Sequence, residues 1–393
     1  MRRTRIMTIG EVCSTISDTY RAKADKVTLI NTSDVLEGKV LNHTQVPNKE
    51  LKGQFKKTFK KNDILYSEIR PQNKRFAFVD FDPVDYIAST KLMVLRADAS
   101  KVLPMYLYFY LKSAPVIAEL QMLAETRSGT FPQITFTELS TLSIPVPSIT
   151  EQEVIVTTIK SIEDKIDCNA DINDNLEQQA QSCFQELFVN NADPEWTTGT
   201  ISDLGTIVGG STPSKAKPEY YTESGIAWIT PKDLSINKSK FISHGENDIT
   251  ELGLKNSSAA IMPEGTVLFS SRAPIGYIAI AAGEVTTNQG FKSVVPKPEI
   301  GTPFVYFFLK HNLQVIEGMA SGSTFKEVSG STMKNIPAVI PDVDTLAGFN
   351  DFCTSIFAQQ RVLEEQSHSL AVLRDNLLPK LMSGEIDVSD IQL

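Results

Sequence analysis

The stretch Tyr108-Phe109-Tyr110-Leu111-Lys112 returns almost unchanged as Tyr306-Phe307-Phe308-Leu309-Lys310 in a chain of 393 residues. Two more pairs of stretches match in the same order, with offsets between 194 and 203 residues: Asp63–Pro71 with Gly265–Pro274, and Arg127–Phe131 with Ser321–Phe325. Ordered matches of this kind indicate a duplicated unit that covers roughly half the chain. Because the two halves otherwise differ greatly, the duplication predicts one task that is performed on two different targets.

Each half combines short strands with helices and then ends in a long helix. Runs of β-branched and aromatic residues predict strands at Ile64–Ser67, Phe76–Val79, Lys91–Leu95 and Val267–Ser270. Helices are predicted at Met105–Lys112 and Pro303–Lys310, each continuing for another turn or two. This mixture is typical of an α+β domain with a curved sheet.

The first long helix is predicted to begin near Thr150, because Ser148–Glu153 contains a Thr-x-x-Glu capping box. Beyond it, positions spaced alternately by four and three residues are mostly apolar, as in a coiled coil. These seam positions are Ile155, Ile159, Ile162, Ile166, Asn169, Asn173, Leu176, Ala180, Cys183 and Leu187. Two asparagines therefore interrupt the seam near its middle.

The second long helix is predicted to begin near Asp344 and to stop at Gly384, with a bend at Pro379. Its seam follows the same spacing and then slips by one residue. The seam positions are Leu346, Phe349, Cys353, Ile356, Gln360, Leu363, Ser367 and Leu370, followed after the slip by Leu373, Leu377 and Leu381.

The two long helices can pair with each other, and in an antiparallel pair the numbers of contacting residues have a constant sum. A sum near 536 places Asn169 and Asn173 beside Leu363 and Ser367, where the polar layers fix the register at some cost in stability. The predicted fold class is α+β, with two pseudo-two-fold-related domains separated by two long helices packed as an antiparallel coiled coil. The predicted segments are 1–147, 148–190, 191–341 and 342–393.

The formal net charge of −9 argues at first against nucleic acid as a partner. The distribution of charge argues the opposite, because residues 1–75 hold 16 Lys and Arg against 8 Asp and Glu, whereas residues 148–195 hold 2 against 11. A DNA phosphate responds to the local field and not to the average over the chain. The acidic first helix is predicted to present a solvated face or a face on which a protein docks.

The four cysteines lie far apart without CxxC spacing, and no run of about 18 apolar residues is present. The basic start at Met1–Arg5 leads into Thr8–Glu11 and not into an apolar segment, so it does not resemble a secretory signal. Four scattered histidines have no metal-ligand spacing, and no metal site is predicted. Together these features predict a reduced cytoplasmic protein.

Known catalytic motifs are missing from the sequence, which favours a binding function. Gly205–Ser211 is rich in glycine, but no Gly-Lys-Ser or Gly-Lys-Thr follows it as in a P-loop. Asp193–Trp196 only faintly resembles the Asn-Pro-Pro-Tyr motif of amino-methyltransferases, and a turn explains it better. Neither G-x-S-x-G nor H-E-x-x-H occurs.

The layout of two unlike domains and two long helices resembles the specificity subunits of Type I restriction–modification enzymes, and the resemblance covers essentially the whole chain. Four stretches carry it: Trp228–Leu234, the Ser-x-Arg-x-Pro-x-Gly pattern within Leu268–Gly276, Ser321–Lys326, and the C-terminal Leu373–Ile386. The first half departs from this pattern, because it has Glu68–Asn73 in place of Ser271–Gly276 and lacks the turn Gly209–Pro213.

The resemblance implies a DNA sequence-recognition subunit without catalytic activity of its own. Each mixed domain would be a target recognition domain for one half of an asymmetric bipartite site in double-stranded DNA. The helices would fix the unrecognised spacer and bind two modification subunits. Those partners would carry S-adenosylmethionine and methylate adenine at N6, so no cofactor is expected in this chain, and motor–nuclease restriction subunits would join in a restricting enzyme.

Three alternatives remain open at this point. The chain could be the specificity subunit of a methylation-only system. It could be an independent enzyme with an unrecognised active site, or a coiled-coil protein adaptor without DNA contact.

Polar and basic residues near turns are candidates for DNA contacts, because lysine suits phosphates while arginine and side-chain amides suit base edges. In the first domain the candidates are Lys52, Gln54, Lys56, Lys57, Lys60, Lys61, Arg70, Asn73, Lys74, Arg75, Arg127 and Thr130. In the second domain they are Ser211, Thr212, Lys215, Lys232, Arg272, Asn288, Gln289, Ser323 and Lys326.

Each group of candidates has a structural alternative. A lysine run such as Lys56–Lys61 is often a solvated loop, and Asn288-Gln289 can form an ordinary turn closed by Gly290. Arg70 and Arg272 follow matched strands and are predicted to share a role, either in DNA contact or in packing at the strand end. The aromatic residues of the two repeated helices are predicted to lie in the core.

Overall fold

The computed structural model describes residues 5–50, 53–126, 132–322 and 326–388. The chain divides into two compact units. The first comprises Met1–Ile166 and His368–Leu393, and the second comprises Asp167–Ser367. Each long helix contributes residues to both units, and the division into four segments stays a prediction.

Within its described residues, the first unit contains two four-stranded sheets, a ribbon in which the first and last strands pair, and a short hairpin of two two-residue strands. Its elements are β1 (Arg5–Thr8), α1 (Ile9–Val12), β2 (Cys13–Ile16), β3 (Lys26–Ile30), β4 (Val35–Leu36), β5 (Lys39–Val40), β6 (Gln45–Pro47), β7 (Phe55–Lys57), β8 (Ile64–Ser67), β9 (Phe76–Phe78), β10 (Tyr86–Ser89), β11 (Leu92–Ala97), α2 (Pro104–Lys112), α3 (Ala114–Glu125), α4 (Phe136–Leu139) and β12 (Ser143–Val146). The sheets have the strand orders β2-β11-β8-β9 and β6-β3-β10-β7.

The first long helix is α5 (Ile149–Gln185), which continues as a π-helical turn over Glu186–Asn190. The capping box predicted at Thr150 is wrong by two residues. Ser148 forms the box instead, because its N–H donates to Glu151 Oε2 over 2.7 Å and the Glu151 N–H donates to Ser148 Oγ over 3.3 Å. Two overlapping Ser/Thr-x-x-Glu patterns occur in this stretch, and the helix begins at the earlier one, directly after β12.

The second unit contains a five-stranded sheet, a four-stranded sheet and a ribbon in its described residues. Its elements are β13 (Thr197–Thr200), α6 (Ile201–Leu204), β14 (Gly205–Gly209), β15 (Tyr221–Thr222), β16 (Ile226–Ile229), α7 (Pro231–Ile236), β17 (Phe241–Ile242), β18 (Asn247–Ile249), α8 (Glu251–Lys255), β19 (Val267–Ser271), β20 (Ile275–Ala281), β21 (Thr286–Thr287), β22 (Lys292–Pro296), α9 (Thr302–His311), α10 (Leu313–Gly318), α11 (Gly330–Lys334) and β23 (Pro337–Ile340). The sheets have the orders β14-β22-β19-β20-β17 and β15-β18-β16-β21.

The two units repeat the same arrangement of elements. In each, a ribbon strand ends at a threonine whose N–H donates to a carboxylate three residues on, Thr8 to Glu11 over 2.7 Å and Thr200 to Asp203 over 2.8 Å. β8 lies between β11 and β9 in its four-stranded sheet, as β19 lies between β22 and β20 in the five-stranded sheet. The other sheet of each unit contains a parallel pair, β3 with β10 and β16 with β21. The duplication predicted from short stretches therefore extends through both units.

The repeated aromatic helices lie in the cores, as predicted, since Phe109 is fully buried and Phe307 is 1% exposed. Their predicted extension is wrong. The first repeated helix, α2, stops at Lys112, where Ser113 adopts an extended backbone and Pro115 occupies the first turn of a separate helix, α3. A proline inside a continuing helix would remove a hydrogen bond and clash with the preceding turn.

The second long helix, α12 (Val343–Ser383), runs antiparallel to α5 within the second unit. Asn169 Nδ2 donates to Gln366 Oε1 over 2.9 Å and to Ser367 Oγ over 3.2 Å. Gln360 Nε2, earlier on α12, donates to the carbonyl of Asn173, later on α5, over 3.1 Å. The numbers of Asn169 and Ser367 add to 536, the expected sum, and the antiparallel pairing is confirmed.

Every residue assigned to the helix seam except Leu373 is buried or half-buried. The buried ones are Ile155, Ile159, Phe349, Ile356 and Leu381, and the half-buried ones are Ile162, Ile166, Leu176, Leu187, Leu363, Leu370 and Leu377.

The predicted slip of the second seam is wrong, because Leu373 is 51% exposed. The spacing continues instead through Arg374, whose Nη1 lies 3.7 Å from Glu163 Oε1 on α5. An arginine can occupy this position since its aliphatic stem packs while its charged end pairs with an acid. The helix ends at Ser383, and Gly384 follows with a φ of +76°, as the predicted stop requires.

Candidate nucleic-acid interface

Six of the nine candidate residues in the second domain line one cleft of about 490 Å³. They come from four separate segments of the chain, so only the fold brings them together. Three of them are basic and three are uncharged hydrogen-bonding side chains, which suits an anionic ligand that carries donors and acceptors. The six are Thr212, Lys215, Lys232, Arg272, Asn288 and Gln289.

The turn after β14 supplies two of these residues and depends on Gly210. A Cβ at this position would lie 1.9 Å from the carbonyl oxygen of Asn288, so only glycine permits the approach. The next residue, Ser211, is then held at both ends of its backbone. Its N–H donates to the carbonyl of Thr287 over 2.8 Å, and its carbonyl accepts from Trp228 Nε1 over 3.0 Å.

The first turn of α7 supplies Lys232 and is capped by Thr230, whose N–H and Oγ1 donate to Asp233 Oδ2 over 2.7 and 2.6 Å. The other oxygen of the buried Asp233 accepts the N–H of Glu246 over 2.8 Å. The same carboxylate therefore holds the first turn of α7 and the backbone of Glu246, which both line the cleft. Lys232 Nζ lies 2.6 Å from Glu246 Oε2, and this hydrogen bond raises the pKa of Lys232.

Arg272 follows β19 and shares the carboxylate of Glu327 with Lys292. Arg272 Nη1 lies 3.5 Å from Glu327 Oε2, and Lys292 Nζ lies 3.6 Å from Glu327 Oε1. Arg272 is 37% exposed, whereas Lys292 is 16% exposed. Because a guanidinium carries five N–H donors, a carboxylate on one side leaves donors that can bind a ligand on the other.

Asn288 and Gln289 occupy the turn after β21 and differ in their contacts. Asn288 Oδ1 accepts the N–H of Gly290 over 2.8 Å, which favours the structural alternative of a turn for this residue. Gln289 is exposed and accepts a hydrogen bond from Thr212 Oγ1. Gln289 therefore retains its amide donors at the surface of the cleft.

Two described candidates of the second domain lie outside this cleft. Ser211 Oγ accepts the N–H of Ser258 over 3.3 Å, and Lys326 is exposed. Four other candidates lie outside the residues that the structure describes, namely Lys52, Arg127, Thr130 and Ser323.

The lysine run of the first domain divides into exposed and inward-facing residues. Lys56, Lys60 and Lys61 are exposed, as is Gln54. Lys57 is half-buried, and its Nζ donates to the carbonyls of Thr90 and Leu92 over 3.0 and 2.8 Å. Burial lowers the pKa of Lys57. These contacts favour packing for Lys57, while its exposed neighbours stay candidates for phosphate contact.

The second basic group of the first domain also divides. Arg70 and Asn73 are exposed, and Lys74 Nζ lies 3.1 Å from Glu37 Oε1 at the surface. Arg75 is half-buried, and its Nη1 donates to the carbonyl of Ser33 over 3.0 Å. Arg75 therefore contributes to holding the loop before β4.

The hydrogen bonds after β8 and β19 show how the two halves correspond residue by residue. The N–H of Glu68 donates to the carbonyl of Lys91 over 3.0 Å, and the N–H of Ser271 donates to the carbonyl of Gly290 over 2.7 Å. Lys91 precedes Leu92, which pairs with Ser67, and Gly290 precedes Phe291, which pairs with Ser270. Glu68 and Ser271 thus occupy the same place in the two domains.

The predicted match between Arg70 and Arg272 is wrong by one residue. Counting from Glu68 and Ser271, Arg70 corresponds to Ala273, and both residues precede a proline and have positive φ, 45° and 51°. Arg272 corresponds to Ile69. The matched stretches differ in length by one residue, and only the hydrogen bonds locate the gap.

Sequence reasoning missed the acidic residues of the interface. The Thr230-x-x-Asp233 capping pattern is a signal that could have located Asp233. No local pattern points to Glu246 or Glu327, because their partners lie at least 13 residues away in sequence. Among the described residues, no helix is long and apolar enough to cross a membrane.

The chain belongs to the family defined by the Type I restriction modification DNA specificity domain, whose model matches residues 2–178 and 194–361. The predicted class of protein is confirmed. Among its relatives, the Type I restriction enzyme HindI specificity subunit of Haemophilus influenzae is 31% identical over 455 aligned positions, which cover 96% of this chain and 98% of that protein.

Two further relatives support this assignment. The Type I restriction enzyme MjaIX specificity subunit of Methanocaldococcus jannaschii is 38% identical over 191 positions, covering 46% of this chain and 44% of that protein. A crystal structure of the S subunit of a Type I restriction–modification system from M. genitalium has a TM-score of 0.59 over 97% of each chain at 18% identity, which is a likeness of fold.

Proposed function

We propose that this chain recognises an asymmetric bipartite sequence in double-stranded DNA and positions adenine-N6 methyltransferase subunits on it, without catalysing a reaction itself. The cleft of the second domain is the observation that carries the proposal. Lysines for phosphates and an arginine and amide for base edges converge there from segments that are distant in sequence. The cleft forms on a fold that occurs twice in the chain.

The asymmetry of the target is supported by the unlike surfaces of the two domains. The backbone frames match, but Arg70 stands where the second domain has Ala273, and Ile69 stands where it has Arg272. Base edges are distinguished by the donors and acceptors that side chains present. Two domains with different side chains on the same frame are therefore expected to accept different half-sites.

The partner subunits are supported by family membership and by the acidic surface of α5. Asp164, Asp167, Asp171 and Asp174 on this helix are exposed, so the face repels DNA and suits a protein. Motor–nuclease subunits would join in a restricting enzyme, and a methylation-only complex is the alternative.

Methylation mapping tests the recognition function directly. The chain is expressed with its modification subunits in a host without restriction activity, and every methylated adenine in the genome is located. We expect one two-part motif with unlike halves, which disappears when the chain is omitted. A motif with a single part, or methylation that persists without the chain, would contradict the proposal.

Two further experiments exclude the other classes of function. Incubation of the purified chain with DNA and S-adenosylmethionine is expected to transfer no methyl group, and transfer by the chain alone would identify it as an enzyme. Photo-crosslinking in the assembled complex is expected to join DNA to both recognition domains. A coiled-coil adaptor would give no such cross-links.

A further inference from the structure

A small hydrogen-bonded frame follows β8 in the first recognition domain. The N–H of Glu68 donates to the carbonyl of Lys91, and the carbonyl of Glu68 accepts the N–H of Ile134 over 2.8 Å. The side chain of Ser89 closes the adjoining turn, because its Oγ accepts the N–H of Lys91 over 3.3 Å. Three segments that are distant in sequence are thus tied together by their backbones.

The same frame follows β19 in the second domain. The N–H of Ser271 donates to the carbonyl of Gly290, and the carbonyl of Ser271 accepts the N–H of Val328 over 3.0 Å. Asn288 closes the turn in the place of the serine, by accepting the N–H of Gly290. The frame therefore persists although the sequences of the two halves have diverged.

The side chains that the frame presents are different in the two domains. In the first, Lys91 Nζ lies 3.6 Å from Glu68 Oε2 and 3.5 Å from Gln133 Oε1. In the second, the residue that corresponds to Gln133 is Glu327, and it pairs with Arg272. Both sets hold a cation against an acceptor, but they use different residues at different positions.

The fold does not account for these polar sets. Lys91 is 51% exposed and Arg272 is 37% exposed, and exposed ion pairs contribute little to stability. A constant rigid backbone that carries variable donors and acceptors is, in contrast, the arrangement that recognition of a specific base requires. In the second domain, Arg272 also lines the cleft described above.

We propose that Lys91 and Gln133 in the first domain, and Arg272 and Glu327 in the second, determine which bases each half-site accepts. Arg272 donates to O6 and N7 of a guanine, the bidentate geometry that its guanidinium suits, and Glu327 holds it in that orientation. In the first half-site, Lys91 contacts a guanine and the Gln133 amide contacts an adenine. This inference rests on the proposed function and assigns its specificity to particular side chains.

Methylation mapping of the full complex with single variants tests the inference. Arg272→Ala is expected to reduce the preference for one base pair of one half-site by at least about tenfold and to leave the other half-site unchanged. Lys91→Ala is expected to do the same in the other half-site. Lys215→Ala, in the same cleft as Arg272 but off the frame, serves as the control and is expected to lower methylation at all sites alike.

The outcomes separate the inference from the function on which it rests. If Arg272→Ala lowers methylation uniformly with an unchanged motif, or alters both halves, the inference is wrong while the proposed function stands. If the unaltered chain yields no two-part motif, the proposed function itself fails. Should an alanine variant not fold, Arg272→Met and Lys91→Met keep an aliphatic side chain without a donor, and the same changes confined to one half-site are expected.

Discussion

Lys56 and Lys57 are neighbours on β7, and side chains alternate between the two faces of a strand. Lys56 is exposed, whereas Lys57 donates to the carbonyls of Thr90 and Leu92, on either side of Lys91. The inward lysine therefore supports the backbone that presents Lys91. Two adjacent residues of one type thus differ in role because of the direction in which they point.

Replacing Lys57 is expected to affect mainly stability, and replacing Lys56 is expected to affect mainly the affinity for DNA. Lys57→Ala should lower the free energy of unfolding by about 1.5–3 kcal/mol, because two carbonyls lose a charged donor. Lys56→Ala should change it by less than about 0.5 kcal/mol and should reduce the slope of log affinity for DNA against log salt by about one. Urea denaturation and fluorescence anisotropy measure the two effects. Equal destabilisation by both variants would contradict these roles.

For single residues, the chemical role of a side chain could be predicted from its type, but the direction in which it points could not. The lysine run and Arg272 could be identified from residue type, since phosphates and base edges require these donors. The inward turn of Lys57 and the correspondence of Arg70 with Ala273 depend on hydrogen bonds between distant strands. No local pattern encodes such bonds.

Among the elements, the pair α5 and α12 contains a buried polar layer that a coiled coil built only for stability would not have. Asn169 is fully buried and donates to Gln366 and Ser367, yet among the described residues its Oδ1 has no hydrogen-bond partner. Burying an acceptor without a partner costs about 1–3 kcal/mol. Such layers are retained where they specify the register of two helices.

Asn169→Leu is therefore expected to raise the free energy of unfolding by about 1 kcal/mol, because it removes the unpaired acceptor from an apolar seam. Thermal and urea unfolding measure the change. Asn175→Leu, at an exposed position of the same helix, is the matched control and should shift stability by less than about 0.5 kcal/mol. A loss of stability in Asn169→Leu would show that the two hydrogen bonds outweigh the unpaired oxygen.

A buried charge cluster joins the second recognition domain to α5. Glu177 pairs with Lys240 and lies 2.5 Å from Lys310 Nζ, and Lys240 Nζ donates to Gln360 Oε1 over 2.6 Å. Lys240 is only 7% exposed. Burial alone would raise the pKa of Glu177, but the two lysines hold it below its ordinary value of 4.5.

Glu177→Gln is expected to lower the free energy of unfolding by about 3–5 kcal/mol near neutral pH, because it removes the carboxylate that pairs directly with the buried Lys240 ammonium. A depressed carboxyl pKa stabilises the fold fully above the unfolded pKa and loses that contribution as pH falls through the folded pKa. The difference in the free energy of unfolding between the unaltered chain and the variant should therefore become smaller as the pH falls below about 4.5.

Urea unfolding across this pH range measures the effect. Asp164→Asn, which removes an exposed ion pair with Lys160 on the same helix, is the control and should change stability by less than about 1 kcal/mol at any of these pH values. A difference for Glu177→Gln that stayed constant into acid would rule out the charge pairing as its cause.

At the scale of the whole molecule, charge is separated along the chain. The net charge is −9, although residues 1–75 carry an excess of basic residues and residues 148–195 an excess of acidic ones. Binding to DNA then depends on local basic surfaces in a chain that DNA repels on average. Partner subunits that cover acidic surface are expected to relieve this repulsion.

The isolated chain is accordingly expected to bind its target weakly, and the complex with modification subunits to bind it tightly. If six or more phosphates are contacted, raising NaCl from about 50 to 200 mM should weaken the complex by about a thousandfold. Fluorescence anisotropy with the mapped target measures both, with a duplex altered in one half-site as the control. Affinity that does not respond to salt would exclude the lysines as phosphate ligands.

The duplication and the antiparallel pairing of two long helices could be predicted from the printed sequence, and the family resemblance carried by four short stretches implied a role in DNA recognition. These features are periodic or local, so they can be detected along the chain without coordinates. The tertiary structure alone decided that Arg272 meets Glu327 and that six candidates share one cleft. Those contacts join segments tens of residues apart, and their geometry follows from how the sheets and turns pack and not from any residue's neighbours in sequence.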